Sequence, residues 1–174
     1  MQLKGEETLR QLDKEELVAL VADMAKRWLA HDGIWFLCVE NKRGLDEAIE
    51  LDGQAWERFA AAEAVRIMKV HNVPANGGLP ALEQALKLRA YSFINTIEIV
   101  ESSPEKLVFK MVTCRVQAAR RRKGLPNFDC KPVGIIEYNS FAKTIDPRIQ
   151  VRCVACHPDD IPIDEYNCIW EFTI

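Results

Sequence analysis

The hydrophobic pattern of this chain changes its period near Asn95, and that change restricts the chain to folds that combine helices with a sheet. Before this point, the residues of one stripe between Leu17 and Cys38 recur at alternating steps of four and three, the spacing of one face of an α-helix. After it, every second residue is apolar in two short runs, as expected for β-strands, namely Ile97 and Ile99, and then Leu107, Phe109 and Met111. The pattern predicts an α+β fold: an N-terminal helical layer packed on an antiparallel sheet of about four strands, with a helix inserted between the second and third strands.

Local signals set the limits of the predicted elements. Asp13 and Glu16 have the spacing of a capping box, which predicts one long helix that ends near Gly44. Asp52 is predicted to cap a second helix that runs to about Val70. Two final strands are predicted from alternating residues that share one core face: Ile149, Val151 and Cys153, and then Cys168, Trp170 and Phe172.

Length and composition indicate one globular unit. The 174 residues, 48% of them hydrophobic and 28% charged, are enough for one substantial core and too few for two. We expect a single domain over residues 1–174, with a helical half at about 6–92 and a sheet half at about 93–174. The N-terminus lacks the apolar core of a signal peptide, and no apolar run approaches the ~20 residues of a membrane span. The protein is therefore expected to be cytosolic and to have no membrane partner.

A basic run between Arg115 and Lys123 is the feature that would suggest a nucleic-acid partner. The formal net charge of −3 gives no general attraction to nucleic acid. No aromatic residues are interleaved with the run, as base stacking would require. A solvated basic face explains it better, and a nucleic-acid partner is not expected. Arg115, nearest to the preceding strand, could contact the carboxylate of a ligand.

Three polar residues occupy otherwise apolar helical stripes. His31 lies on the stripe of the first long helix, Glu63 on that of the second, and Glu137 on that of a helix in the sheet half. Separate burial would leave each without a partner, so the three are predicted to converge at one interior polar site. Such a site could hold a water-activating metal or a general base, which makes these residues the candidate catalytic group. The alternative is a His–Glu hydrogen bond that only fixes helix packing.

Cysteines near the C-terminus have the spacing of metal ligands. Cys153 and Cys156 form a C-x2-C pair, and Cys168 lies on the next strand, so three sulfurs could converge on zinc or another divalent metal. The possible fourth ligands are His157, Cys130 and Cys114. Buried free thiols are the alternative, and a disulfide is disfavoured in a reducing compartment. Cys130 lies just before a helix predicted from about Pro132, whose positive end, with nearby Lys131, could lower the pKa of its thiol. The alternative, which the sequence favours, is an unreactive cysteine in the capping region.

Three segments resemble an uncharacterised prokaryotic cytosolic family: W-L-A-H-D-G-I-W-F (Trp28–Phe36), C-R-V-Q-A-A-R-R-R-K-G-L-P (Cys114–Pro126) and G-I-I-E-Y-N-S-F-A-K-T-I-D-P-R-I (Gly134–Ile149). That family is similar to the L-2-amino-thiazoline-4-carboxylate hydrolase-like proteins. The Cys-x-Trp-x-Phe ending is more distantly similar to 4-vinyl reductase-type small-molecule-binding domains. The resemblance implies a small-molecule pocket between helices and sheet, with a cysteine-bounded metal site at the end of the sheet. It carries over no catalytic residue.

Two functions fit the predicted pocket. In the first, the protein binds a small molecule at an interior site beside a cysteine-ligated metal and catalyses no reaction. In the second, a hydrolase, a metal or a carboxylate activates water to open a small cyclic amide or amidine carboxylate, such as an aminothiazoline carboxylate. The side chains predicted to contact the ligand are Trp35, Arg115 and Tyr138. The expected partner is a small-molecule ligand, and a homodimer is possible.

Overall fold

Helices fill the first half of the chain, and strands enter only in the second half. The computed structural model describes residues 5–174, and its helices are α1 (Gly5–Gln11), α2 (Lys14–Arg43), α3 (Leu45–His71), α4 (Gly78–Leu86), α5 (Arg115–Arg122) and α6 (Lys131–Ile145), with a short 3-10 helix at Ala90–Phe93. The strands are β1 (Thr96–Ser102), β2 (Lys106–Thr113), β3 (Gln150–Cys156) and β4 (Cys168–Thr173). No helix within residues 5–174 is long and apolar enough to cross a membrane. The predicted α+β fold is confirmed, with two helices, α5 and α6, between the second and third strands.

The described strands form one antiparallel sheet of four strands in the order β1-β2-β4-β3. β4 pairs with both of its neighbours, so that Trp170 lies opposite Phe109 on one side and Cys153 on the other. The seven residues predicted on one core face lie in the core or pack against it: Ile97, Ile99, Phe109, Met111, Val151, Trp170 and Phe172. The opposite face carries ion pairs such as Lys110 with Glu98, at 2.7 Å. Only the apolar face therefore needs to be covered by helices.

A β-bulge at Val154 brings two cysteines of β3 to the same side of the sheet. Cys153 pairs with Trp170, whereas Cys156, three residues later, pairs with Cys168, only two residues away in β4. Residues three apart in a regular strand face opposite sides, and the extra residue of the bulge removes that difference. Val154 is accordingly exposed, while Cys156 is buried and Cys153 packs against the core.

Helix α6 is the layer between the sheet and the other helices. It contacts α3 on one side and β3 on the other. Gly134 permits the close approach to the sheet, because a Cβ at this position would lie 2.6 Å from Trp170 Cζ2. The buried side chains of α6 are Val133, Tyr138, Phe141, Ala142 and Ile145. Their burial joins the two layers of the fold.

The long helix α2 has the predicted ends. Asp13 accepts a hydrogen bond from the Glu16 amide at 2.8 Å, and the Glu16 side chain accepts one from the Asp13 amide at 2.9 Å. This reciprocal pair is the capping box. Gly44, with φ of 93°, ends the helix in a conformation that suits glycine.

The buried face of α2 differs from the predicted stripe. Trp28 packs among aromatic rings of α3 and the 3-10 helix, as expected of an inner residue. Beyond it, Asp32 and Phe36 lie on the inner side, whereas His31 is exposed and Trp35 exposes 63% of its surface. Apolar side chains occur around most of this helix, so their spacing alone did not identify the face that the core covers.

Helix α3 runs without a break from Leu45 to His71, so the predicted cap at Asp52 is wrong. Asp52 lies inside the helix, which begins directly after Gly44. Trp56 and Ile67 are buried on the inner side of α3, whereas Val70 is 64% exposed. A single long α3 carries Asp52 into the interior between the layers.

Candidate functional site

A cavity of about 450 Å³ lies between the helical layer and the sheet. Its wall contains buried aromatic and aliphatic side chains: Trp56, Met111, Phe128, Val133, Tyr138 and Trp170. The exposed residues at its opening come from α2 and α5 and include Lys26 and Arg122. A space of this size and lining suits a small organic molecule.

Three carboxylates line the cavity. Asp32 comes from α2, Asp52 from α3 and Glu137 from α6. Burial is the largest cause that raises the pKa of each group. The charge of Asp32 also raises the pKa of the other two, so the three groups act on one another. The charge of Arg89 already lowers the pKa of Glu137, and a further cation beside Asp32 and Asp52 would relieve their cost of burial and the repulsion among the three groups.

Asp52 has a pKa near neutrality. Burial, and then the charges of Asp32 and Glu137, raise it from 3.8 to about 7, while a hydrogen bond with the Trp56 side chain acts in the opposite direction. A carboxyl group with this pKa can hold or release its proton close to neutral pH. Asp52 can therefore serve as a proton acceptor or as an anion that becomes charged when a cation binds.

Glu63 and Glu137 converge on Arg89, a residue that the spacing did not indicate. Arg89 Nε donates to Glu63 Oε2 at 2.8 Å, and Arg89 Nη1 lies 2.7 Å from Glu137 Oε1. The guanidinium is 3% exposed and lies 4.6 Å from the centroid of the Phe141 ring. Burial opposes the charge of Arg89, but the two carboxylates outweigh it and raise its pKa. The two predicted carboxylates thus meet at a structural cation.

Two buried polar atoms in the cavity wall have no hydrogen-bond partner among residues 5–174, namely Glu137 Oε1 and Trp170 Nε1. Glu137 Oε1 nevertheless has an ion-pair partner, because it lies 2.7 Å from Arg89 Nη1. Buried polar atoms without partners cost free energy. The cost falls on Trp170 Nε1, because the ion pair with Arg89 offsets that of Glu137 Oε1.

The basic residues of α5 are divided between the opening of the cavity and its wall. Arg115, Arg122 and Lys123 are exposed lining residues. Arg120 is buried instead and contacts both carboxylate oxygens of Glu40, at 2.7 and 3.0 Å. The prediction of a solvated basic face is therefore wrong at Arg120. Together with Lys26 of α2, these three exposed cations give the opening a positive charge.

Thiols gather around Cys156 at the end of β3. Cys130 Sγ lies 3.3 Å from Cys156 Sγ. Contacts with Cys130, Cys153 and Cys168 raise the pKa of Cys156. Conversely, the contact with Cys156 lowers the pKa of Cys130 and of Cys153. Cys114 also lines the cavity, and burial raises the pKa of its thiol to about 12.

The arrangement of these thiols does not by itself identify a metal site. In the part of the chain that the structure describes, no group of three or more His, Cys, Asp or Glu side chains is arranged to hold a metal ion. Two sulfurs bound to one zinc at ~2.3 Å lie ~3.8 Å apart in a tetrahedron. The sulfurs of Cys130 and Cys156 are closer, at 3.3 Å. His157 is buried beside this group, and burial lowers its pKa.

The other predicted site residues do not all reach the cavity. Arg115 and Tyr138 line it, whereas Trp35 is exposed on the outer face of α2. His31 is also exposed on α2, so its predicted convergence with Glu63 and Glu137 is wrong. Its neighbour Asp32 takes the inner position. The roles of Arg115 and Tyr138 in ligand contact stay predictions.

Asp32, Asp52 and Arg89 are the site residues that the sequence did not single out. Asp32 lies on a second stripe at helical spacing, with Ala25 before it and Phe36 after it, which was the available signal. Asp52 has the residue type of a helix cap, which concealed its interior position. Arg89 follows the end of α4, where no periodic pattern indicates burial.

Fold and site together define an α+β protein with a cavity between its layers, three carboxylates inside that cavity, cations at its opening and a group of thiols in its wall. The chain belongs to a family of unknown function, DUF6125, whose model matches residues 10–174. This agrees with the prediction of an uncharacterised family. The match carries no relationship to the aminothiazoline carboxylate hydrolases or the 4-vinyl reductase domains. No curated protein matches the chain.

Proposed function

We propose that the protein binds a small zwitterion, with an amidine or amine held inside the cavity and a carboxylate at its opening. The observation that carries this proposal is the set of three interior carboxylates with raised pKa values, Asp32, Asp52 and Glu137. A positive charge placed among them favours their ionised forms and offsets the cost of burying them. The interior thus selects a cation.

The opening and the wall support the remaining features of this ligand. Arg115, Arg122 and Lys123 can bind a carboxylate at the opening. Aromatic rings such as those of Trp56 and Tyr138 suit a flat body between the two charged ends.

Three related probes separate the contributions of the two charges. Benzamidine carries only the cation, benzoate only the carboxylate, and 4-amidinobenzoate both. In calorimetric titrations at neutral pH, we expect 4-amidinobenzoate to bind most tightly, benzamidine more weakly and benzoate not at all. Benzoate that binds as tightly as benzamidine would contradict the proposal.

Two variants locate the cation. Asp52→Asn should weaken benzamidine binding several-fold, because it removes a charge from the cavity wall. Asp46→Asn makes the same chemical change at an exposed position of α3 and should leave binding unchanged. Equal effects of the two substitutions would place the cation elsewhere.

A hydrolase at the same cavity is a second candidate, favoured by the pKa of about 7 for Asp52. A carboxylate that is partly ionised near neutral pH can accept a proton from an attacking water. An aminothiazoline carboxylate is a cyclic amidine with a carboxylate, so it carries both charges that suit the cavity. We expect a hydrolase to convert it into a product heavier by one water, which mass spectrometry detects. Turnover that Asp52→Asn abolishes would support this reaction, whereas binding without turnover would restrict the protein to the first proposal.

A zinc or other divalent metal on the cysteines stays a prediction, separate from ligand binding. Metal analysis of the full-length protein, purified without chelators, tests it directly. A stoichiometric metal that is lost in Cys156→Ser would support the prediction.

A further inference from the structure

Two thiols in the cavity wall are in contact with each other. Cys130 Sγ and Cys156 Sγ lie 3.3 Å apart, and both residues line the cavity. Because disulfide sulfurs lie ~2.05 Å apart, a movement of ~1.3 Å would close a bond between them. The pair joins two separate elements, the start of α6 and the end of β3.

The two thiols differ in accessibility. Cys130, the N-cap residue of α6, is half-buried, and its sulfur accepts a hydrogen bond from Gln117 Nε2 at 3.5 Å. Cys156 is 1% exposed. A molecule in the cavity therefore meets Cys130 more readily, and Cys156 lies in position to attack the sulfur of Cys130 afterwards.

We propose that Cys130 and Cys156 form a dithiol that reduces small organic disulfides entering the cavity. This activity rests on the proposed binding function in one respect, since the interior carboxylates Asp32, Asp52 and Glu137 should hold a cationic disulfide longer than a neutral one once it has passed the basic opening. It requires neither a metal nor a zwitterionic ligand.

The reaction is two successive thiol–disulfide exchanges. Cys130 gives up its proton and attacks one sulfur of R–S–S–R, which forms a mixed disulfide and releases R–S⁻ to take up that proton. The Cys156 thiol then gives up its own proton and attacks the Cys130 sulfur, which closes the Cys130–Cys156 bond and releases the second R–S⁻ as R–SH. The substrate gains two electrons and two protons, and the dithiol loses the same number.

Other pairings of Cys156 are the main competitors. Cys153 and Cys168 also contact its sulfur. Both lie within the β3–β4 ladder, whereas Cys130 lies at a helix end that is free of strand pairing. The proposal therefore commits to Cys130 as the partner, and the identity of the bond is the first result to determine.

The experiment treats the folded full-length protein with cystamine, a cationic disulfide, and with 2-hydroxyethyl disulfide, a neutral one. We expect release of free thiol and, in peptide maps by mass spectrometry, a Cys130–Cys156 linkage. In Cys156→Ser, the reaction should stop at a mixed disulfide on Cys130. In Cys130→Ser, the thiol release that depends on Cys130 and Cys156 should be abolished. Cys38→Ser, at an exposed position of α2, is the matched control and should leave the linkage unchanged.

The peptide map of the unsubstituted protein decides the matter even if a variant fails to fold. A map that shows Cys153–Cys156 or Cys156–Cys168 instead, or reaction at Cys38 alone, would overturn the dithiol. A bound metal that protects Cys130 and Cys156 from reaction would also overturn it. Equal rates with cystamine and 2-hydroxyethyl disulfide would contradict the cation-selective cavity while leaving the dithiol intact, so the two proposals fail separately.

Discussion

Asp52 is a carboxyl group whose proton is retained by the folded protein and released by the unfolded chain. Burial and neighbouring carboxylates raise its pKa from 3.8 to about 7. Between these values, the folded state carries a proton that the unfolded state has lost. The free energy of unfolding therefore decreases as pH rises through this window. Above it, the folded state bears the full penalty of an ionised carboxylate at Asp52.

Asp52→Asn should remove that penalty. We expect the variant to be more stable than the unsubstituted protein at about pH 8, by roughly 1–3 kcal/mol, because one pKa unit corresponds to ~1.4 kcal/mol and cavity water screens part of the shift. Near pH 4 the two proteins should be about equally stable, since Asp52 is then protonated in the folded state. Denaturant unfolding at both pH values measures the difference. A difference that does not change with pH would show that the pKa of Asp52 is not raised.

Arg89 is a buried cation that holds two carboxylates of different helices. It pairs with Glu63 and Glu137 while almost completely buried. Arg89→Met should cost ~3–5 kcal/mol, because it leaves two buried carboxylates without a counter-charge. Adding Glu137→Gln to that variant should recover part of the loss.

The matched control is Arg152→Met, which breaks an exposed ion pair with Glu171 and should cost at most ~1 kcal/mol. Chemical denaturation of the three variants gives the comparison. Equal costs for the Arg89 and Arg152 substitutions would mean that burial of the first pair adds nothing to stability.

At the scale of elements, the contact of α6 with β4 allows little change. Gly134→Ala should destabilise by ~1–3 kcal/mol, because the added methyl group overlaps the Trp170 ring. Gly33→Ala is the matched control, since a Cβ there meets nothing within 4 Å. It should stabilise α2 by up to ~1 kcal/mol through helix propensity. A stabilising Gly134→Ala, measured by thermal unfolding, would contradict the close approach of these elements.

Elements could be predicted from the sequence where local signals decide them. The capping box at Asp13 and the strand alternation at Phe109 and Trp170 depend on neighbouring residues, and the structure agrees. The inner face of α2 depends on tertiary packing instead, because apolar side chains surround the helix and both of its faces satisfy the periodicity. The site residues were predictable on the same condition. Glu137 could be identified from its position on an otherwise apolar helical stripe, whereas no local signal in the sequence indicates that Arg89 is buried.

For the whole molecule, the exposed apolar side chains of α2 mark the place where a homodimer would form. Large apolar side chains are exposed along this helix: Val18, Val21, Met24, Ile34 and Trp35. Exposed apolar patches of this kind commonly mark association surfaces. We expect sedimentation analysis to show a dimer, and Trp35→Glu to shift it toward monomer without lowering the stability of the fold. A monomer at high protein concentration would contradict this prediction.

Proton release on binding of benzamidine tests the central claim, a cation held by interior carboxylates, most directly. A cation beside Asp52 lowers its pKa from about 7, so the protonated fraction present at about pH 6.5 must pass to the buffer. Calorimetric titrations in two buffers of different ionisation enthalpy measure that transfer. The predicted result is a net release of a fraction of a proton in the unsubstituted protein and in Asp46→Asn, and much less in Asp52→Asn. Binding with no proton release, or with proton uptake, would contradict the claim.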